Sequence, residues 1–417
     1  MTGYRPRLLE RRVRETLGRF PVVLVQGPRQ SGKTTLVRRI AALLGREYFT
    51  FDDEVVRAAA DADPIGFVDA LPGSCVIDEI QRVPDLFLPI KRRVDADRRP
   101  GSFLLTGSTS VLLVPGLSES LAGRMAMLRL HPFAQCELEG RRAAFLAALR
   151  SGRLPLRRMP RLGPQLATRI TTGGYPPAVP ISDPNLRAAW YRDYVEAILQ
   201  RDVREFSQVR HLDVMPRLLE VAASQTARTF NLTRLAGPFR LTAPTIASYI
   251  AMLERVFLIE RVPAWHATRL RRATKAPKLH VADTGLACAL LGAGDDVLLR
   301  ERELLGQLFE TFVLQELRRQ AGGLDEETRF FHYRDRDGRE VDIVLEFAGR
   351  RVAGVEVKAG ATVRERDFHG LRQLARVAGE RFVCGAVVHD GETCIGFGDR
   401  MFAVPVRMLW ELGDRAG

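Results

Sequence analysis

Two groups of residues in this 417-residue chain have the types and spacing to do chemistry on phosphates. The first is GPRQSGKT, Gly27 to Thr34, which fits the spacing GxxxxGK[ST]. Its glycines let the backbone turn tightly, so that successive N–H groups face one anion at a helix start. Gly27, Pro28, Arg29, Gln30, Ser31 and Gly32 form the cradle. Lys33 is expected to reach the β- and γ-phosphates of ATP, Thr34 to ligate Mg2+ through its hydroxyl, and Thr35 to lie near the α-phosphate. Further on, Ser74-Cys-Val-Ile-Asp78-Glu79 ends an apolar string in two acids. Asp78 is the expected water-mediated partner of Mg2+, and Glu79 the expected general base for the attacking water. Thr106 or Ser108, closing the string Ser102–Ser108, is placed to sense the γ-phosphate. Arg124 is a candidate to stabilise transition-state charge, in cis or from a neighbouring subunit.

The second group lies near the C-terminus. Asp342 and Glu356 sit on two expected strands, and Lys358 follows Glu356 by two positions, so the last two project from one face. Two acids with such a lysine make a metal-dependent phosphodiester-cleaving set. Asp342 and Glu356 would hold Mg2+ or Mn2+, Glu310 from the preceding helix would complete the shell, and Lys358 would orient or activate water. Of 63 basic residues only Lys33, Lys91, Lys275, Lys278 and Lys358 are lysine. A compact, deprotonatable ammonium is what such chemistry uses and a guanidinium cannot supply.

The elements that must position these groups follow from local pattern. Phe20–Val25 reads as a buried strand feeding the glycine-rich loop and a helix. Residues 136–210 read as helical segments interrupted by the Pro/Arg-rich stretch Leu154–Gly163 and by Thr171–Pro177, which contains GGYPP. Beyond Asn231 a short helix, a turn and a second helix are expected, with Ile246, Tyr249, Ile250, Leu253 and Phe257 forming one apolar face. Thr242 is the expected N-cap, and Pro244 suits the first turn. Phe257–Val262 and Lys278–Asp283 could pair as the β-hairpin of a winged helix. Between them Arg269, Arg271, Arg272, Lys275 and Lys278 are candidate contacts to DNA phosphates. The alternative is a lid that packs on the ATPase and touches no nucleic acid.

The strings GPRQSGKTTL, a strand ending in FDDE (Phe51 to Glu54), VIDEIQRVPDL, LLTGSTS and SLAGRMAMLRLHPF occur in the order seen in AAA-type bacterial and archaeal ATP-binding proteins. These are relatives of the signal-transduction ATPases of the additional-strand, catalytic-glutamate type. The resemblance implies a P-loop domain with an additional strand over residues 1–135. GGYPPAV, Trp190–Val195 and Gln200–Asp202 are similar to the same family. The helix glutamate, the strand aspartate and Glu356-x-Lys358 resemble the PD-(D/E)XK nuclease superfamily, a domain that the ATP-binding family commonly carries. The fold class implied is α/β multidomain: an AAA-type parallel sheet (1–135), a helical lid or linker (136–210), a winged-helix-like segment (211–285) and a restriction-endonuclease-like α/β domain (286–417).

Composition limits the remaining choices. A hydrophobic fraction of 46% and a charged fraction of 27% are those of a folded globular protein. No run is long and apolar enough for a membrane helix, and the N-terminal residues lack the pattern of a signal peptide, so a cytoplasmic location is expected. Cys75, Cys136, Cys288, Cys384 and Cys394 are scattered without CxxC spacing and read as buried hydrophobes. A net charge of +13 favours a polyanionic partner, DNA first. The function expected is a Mg2+-dependent ATPase that couples nucleotide state to DNA binding, with DNA cleavage by the C-terminal domain as a second activity. The alternatives are an ATP-dependent switch or scaffold with an inactive C-terminal domain, and a regulator that binds operator DNA through the winged helix alone. Oligomerisation is compatible with all three.

Overall fold

The computed structural model describes residues 4–108, 123–203, 213–268, 272 and 275–414. It divides into two compact units, Met1–Phe133 with Arg255–Phe257, and Ala134–Glu254 with Leu258–Gly417. The segments read from the sequence as linker, winged helix and C-terminal domain therefore fall almost wholly in the second unit.

The first unit is built on five parallel strands, β1 (Val22–Gln26), β2 (Glu47–Thr50), β3 (Cys75–Asp78), β4 (Phe103–Gly107) and β5 (Met125–Arg129), in the order β2-β3-β4-β1-β5. Parallel strands covered on both faces read as unbroken apolar strings, and alternate residues of β1 serve the two layers. Val22 and Leu24 pack with Ile77, Leu105 and the helices that carry Ala60, Val68 and Ile90. Val23 and Val25 pack with Val76, Leu104 and the helices that carry Val13 and Ile40. Strand β4 separates β1 from β3, so the loop after β1 and the acids of β3 face each other across one intervening strand. The FDDE string is not part of β2, which ends at Thr50. Asp53 instead caps the helix Glu54–Ala62, accepting from the Val55 N–H at 2.9 Å.

The second unit carries a seven-stranded sheet, with β6 (Arg157–Arg158) at one edge and β10 (Arg329–Arg334) at the other. A separate three-stranded sheet is formed by β7 (Arg228–Thr229), β8 (Ile259–Val262) and β9 (Lys278–Val281), in the order β7-β9-β8. From β10 the large sheet runs through β11 (Glu340–Glu346), β12 (Val352–Lys358), β13 (Phe382–His389), β15 (Met401–Pro405) and β14 (Thr393–Gly396) to β6. Strands β10, β11 and β12 form an antiparallel meander, and β13 and β15 then add in parallel. The Pro/Arg-rich stretch expected as a loop thus contributes β6, which pairs with β14.

The helix Ala243–Arg255 buries Ile246, Tyr249, Ile250 and Leu253. Its N-cap is Thr242, whose hydroxyl accepts from the Thr245 N–H at 3.3 Å. Phe257, also expected on that face, lies beyond the helix end. Strands β8 and β9 pair antiparallel, and the described residues just after β8 pack on the large sheet. Ala264 bridges to His332, the Trp265 N–H donates to the His332 carbonyl at 2.6 Å, and the Trp265 ring is fully buried in the core of the large sheet.

GGYPP has a packing explanation. Tyr175 lies 5.9 Å from Trp190, 5.9 Å from Tyr191 and 4.9 Å from Tyr194, ring centre to ring centre, so the aromatics of the following helix seat on this turn. Gly173 adopts φ +67°, and a Cβ there would run into the Asp283 carboxylate and the Tyr191 hydroxyl. Gly173→Ala is therefore expected to lower unfolding stability by more than about 1 kcal/mol, read as a shift in the urea midpoint.

Candidate functional site

The nucleotide loop grows out of the C-terminal end of β1. Gly32 sits at φ 93°, ψ 23° as the N-cap of the helix Lys33–Leu44, and Gln30 at φ 61° completes the turn. Lys33 is 4% exposed, and its ammonium donates to the carbonyls of Gly27 at 3.0 Å and Pro28 at 2.9 Å. Arg7, which no spacing pattern links to the loop, donates to the Ser31 carbonyl at 2.7 Å and holds the loop from outside the motif. The Ser31 hydroxyl is buried without a hydrogen-bond partner, an orphan that an oxyanion would satisfy.

Asp78, fully buried, gathers three hydroxyls. Thr34 donates to its Oδ2 at 2.8 Å, Tyr48 to the same oxygen at 2.6 Å, and Thr106 to Oδ1. Burial first, and then the Asp78 carboxylate, push Tyr48 up to about 12, so it remains a donor. Glu79 turns into the left-handed region at φ 61°, ψ 43°, and its N–H donates to the Thr106 hydroxyl at 2.9 Å. Gln81 donates to the Glu79 carboxylate and, at 3.0 Å, to Ser108. Thr106 and Ser108 thus position the two acids, the latter through Gln81. The oxygen donors Thr34 and Asp78, already paired, fit a hard divalent cation. Tyr48 lies outside the motifs and only the fold brings it here, whereas Gln81 stands two residues after Glu79 within VIDEIQRVPDL.

Arg124 lies away from the loop. It precedes β5 and sits beside Val22, the first residue of β1, whereas the loop follows Gln26, the last. Five strand residues, roughly 16 Å, separate these ends. Its guanidinium engages Asp95, with one contact at 3.0 Å. Within the chain it is remote from the phosphate loop, which lies at the other end of these parallel strands.

In the second unit the register Ile343↔Val355 sets Asp342 beside Glu356. The Val357 N–H donates to Asp342 Oδ2 at 2.9 Å, and Lys358 donates to Glu356 Oε1 at 2.7 Å. Glu310, on the helix Arg302–Gly322, joins this group, but so does Lys278 from β9. The Lys278 ammonium lies 2.8 Å from Glu310 Oε1 and 3.0 Å from Asp342 Oδ1. Burial pulls Lys278 down, but the Asp342 and Glu310 carboxylates outweigh it and hold the ammonium well above its ordinary range. Burial raises Asp342 while Lys278 and the Val357 N–H lower it further, so it stays ionised. Burial and the Asp342 charge push Glu356 upward. Among the described residues no three His, Cys, Asp or Glu side chains are placed to hold a metal ion. With Lys278 inside the cluster, Glu310, Asp342 and Glu356 do not fit the expected metal shell.

Three residues of the basic segment, Arg272, Lys275 and Lys278, are described. Arg272 forms a two-point ion pair with Glu346, at 2.7 and 3.1 Å, over the Phe331 ring. Lys275 donates to the Arg334 carbonyl at 2.7 Å, and Lys278 is buried among acids. Arg272 and Lys278 are thus engaged within the unit, whereas Lys275 stays exposed. Arg269 and Arg271 lie outside the described residues. All five cysteines are buried free thiols.

The β2-β3-β4-β1-β5 order with this loop and these acids defines an AAA-type P-loop nucleotide-binding domain, and residues 19–139 match the family model described as AAA domain. Residues 163–297 and 305–409 match two models described as domains of unknown function, DUF8612 and DUF4143. "Uncharacterized protein Rv2008c" of Mycobacterium tuberculosis and "Uncharacterized protein Mb2031c" of Mycobacterium bovis are each 32% identical over 410 residues, covering 97% of this chain and 84% of theirs. The chain belongs to the family of these mycobacterial proteins. "Uncharacterized protein MJ1544" of Methanocaldococcus jannaschii is 22% identical over 85% of this chain and 79% of its own. Among solved structures, the Walker-type ATPase PABY2304 of Pyrococcus abyssi aligns with 68% of this chain and 94% of its own at 15% identity and TM-score 0.40. Among the described residues no helix is long and apolar enough to cross a membrane.

Proposed function

We propose that this protein is a Mg2+-dependent ATPase whose nucleotide state governs DNA binding by its second unit, in the cytoplasm. The observation that carries the reading is Asp78 holding the hydroxyls of Thr34 and Thr106 while the next residue, Glu79, is fixed through its own N–H and through Gln81. Loop N–H groups from Gly27 to Thr34 bind the phosphates, with Ser31 adding its orphan hydroxyl. Lys33 exchanges the Gly27 and Pro28 carbonyls for phosphate oxygens. Thr34 and Asp78 are the residues to hold Mg2+, which supplies charge neutralisation on the phosphates. Glu79 accepts the proton of the attacking water, and Thr106 keeps its backbone in place. Thr35 stays beside the α-phosphate, and Arg124 acts on a neighbouring subunit's nucleotide.

DNA is the partner favoured by the net charge of +13. A winged-helix-like build for residues 211–285 is supported by three helices preceding and joining the β7-β9-β8 sheet. A restriction-endonuclease-like build for the C-terminal domain is supported by its meander followed by parallel strands, with Asp342 and Glu356 side by side. DNA cleavage is the second reading, favoured by Lys358 lying on Glu356; the Lys278 ammonium among the same acids speaks against a metal there.

The test is phosphate release from ATP with and without Mg2+, beside DNA binding by anisotropy with and without nucleotide. Lys33→Ala is expected to lower hydrolysis at least about 100-fold, since its contacts act on transition-state charge. Hydrolysis by Lys33→Ala at the wild-type rate would remove the ATPase reading, and DNA affinity indifferent to nucleotide would remove the coupling.

A further inference from the structure

Lys278 is not a surface cation that has folded back. It belongs to β9, the central strand of the three-stranded sheet, where Thr229 and Val262 are its neighbours in register on either side. Its backbone is therefore fixed by two strands, and its side chain is only 6% exposed. His280, two positions on and on the same face, hydrogen-bonds Thr311 at 3.1 Å, so β9 seats on the helix Arg302–Gly322 at two points. The Lys278 ammonium then spans Glu310 of that helix and Asp342 of β11. A divalent ion shared by these carboxylates would have to occupy the same space, because both would lie within about 3 Å of the same two oxygens.

Charge balance agrees with the geometry. Three carboxylates, Glu310, Asp342 and Glu356, face two ammonium groups, Lys278 and Lys358. Glu356 Oε2 is buried without a partner, so the cluster retains one carboxylate oxygen available to a cation. Taking Lys278 away would leave three buried acids with Lys358 as their counter-charge, an arrangement relieved by an entering cation or by protonation of Glu310 and Glu356, which burial and the Asp342 charge already push upward. Lysine here is also informative in a chain whose 63 basic residues include only five lysines. An ammonium is a compact point charge that can take an ion's place between two carboxylates, whereas a planar guanidinium is too wide to do so.

We propose that Lys278 is the resident cation of this cluster, standing where a divalent metal would bind, so that the second unit takes no metal there while β9 is seated. The inference rests on the restriction-endonuclease-like reading of β11 and β12. It makes the three-stranded sheet the element that decides whether the acids face an ammonium or an ion from solution.

Mn2+ binding to nucleotide-free, full-length protein, followed by the EPR signal of free Mn2+, tests it. The wild-type and Asp342→Asn titrations are expected to superimpose. One further Mn2+ per chain should appear in Lys278→Met and disappear again in Lys278→Met/Asp342→Asn. A wild-type Mn2+ that Asp342→Asn abolishes would overturn the proposal, and so would a folded Lys278→Met that gains none. If Lys278→Met fails to fold, the wild-type comparison with Asp342→Asn decides alone. Incubating Lys278→Met with DNA and Mn2+ separates the two readings. Metal gained without cleavage upholds the resident cation and removes the nuclease reading, whereas metal gained with Lys358-dependent cleavage upholds both.

Discussion

Glu79→Gln is expected to lower the rate of ATP hydrolysis by about 10²- to 10⁴-fold while leaving ATP affinity within a few-fold of wild type. The magnitude is that of removing a positioned general base. Glutamine keeps the length of the side chain, and its carbonyl oxygen can still accept from Gln81, so the geometry set by Gln81 and Ser108 persists. Only the capacity to take a proton is lost. The backbone N–H of residue 79 still meets Thr106, and Asp78 keeps its three hydroxyls, so the cation and phosphate contacts are untouched. The measurement is single-turnover phosphate release beside equilibrium binding of labelled ATP. A Glu79→Gln protein that turns over within about threefold of wild type would assign the base elsewhere.

Asp283→Ala is expected to cost about 3–5 kcal/mol of unfolding stability, the range for removing one partner of a buried ion pair. Asp283 is fully buried and caps the helix Thr284–Leu291, accepting from the N–H of Gly285 at 2.9 Å and of Leu286 at 3.3 Å. It also accepts from the Gly174 N–H at 2.8 Å, the Tyr191 hydroxyl at 3.1 Å and Arg319 at 2.9 Å. Alanine leaves the cap, the Gly174 turn and half of the Arg319 pairing unsatisfied together. Arg319 retains Glu316 at 3.2 Å, which keeps the loss from being larger. Asp283→Asn restores the cap without the charge and is expected to fall between alanine and wild type. Urea unfolding followed by circular dichroism reads both, and a loss under about 1 kcal/mol for alanine would refute this account of the unit's core.

What local pattern could carry, the amino-acid sequence determined by itself. The loop Gly27–Thr34 lies within one strand–loop–helix unit, so its spacing and its flanking apolar string specify it together. Asp78 ends a strand whose every residue is buried, with Glu79 next after it, and the apolar face of the helix Ala243–Arg255 follows from its period. Asp342 and Glu356 are joined by a short antiparallel connection, which makes their neighbourhood a local matter of register.

Only the tertiary structure decided the partners of these groups, because those partners are distant along the chain and carry no spacing signal. Lys278 meets Glu310 and Asp342 across 32 and 64 residues, so a cluster of basic residues that reads as a solvated wing supplies the counter-charge of a buried acid site. Asp283 reaches Gly174 across 109 residues and explains a glycine pair that had no local reason to be there. Arg124, attractive by type, was placed by strand direction: it enters β5 at the end of the strands away from the loop. Periodicity records which face of an element is apolar, but a charged side chain acts through whatever the fold sets within about 3 Å of it, and that depends on which elements pack together.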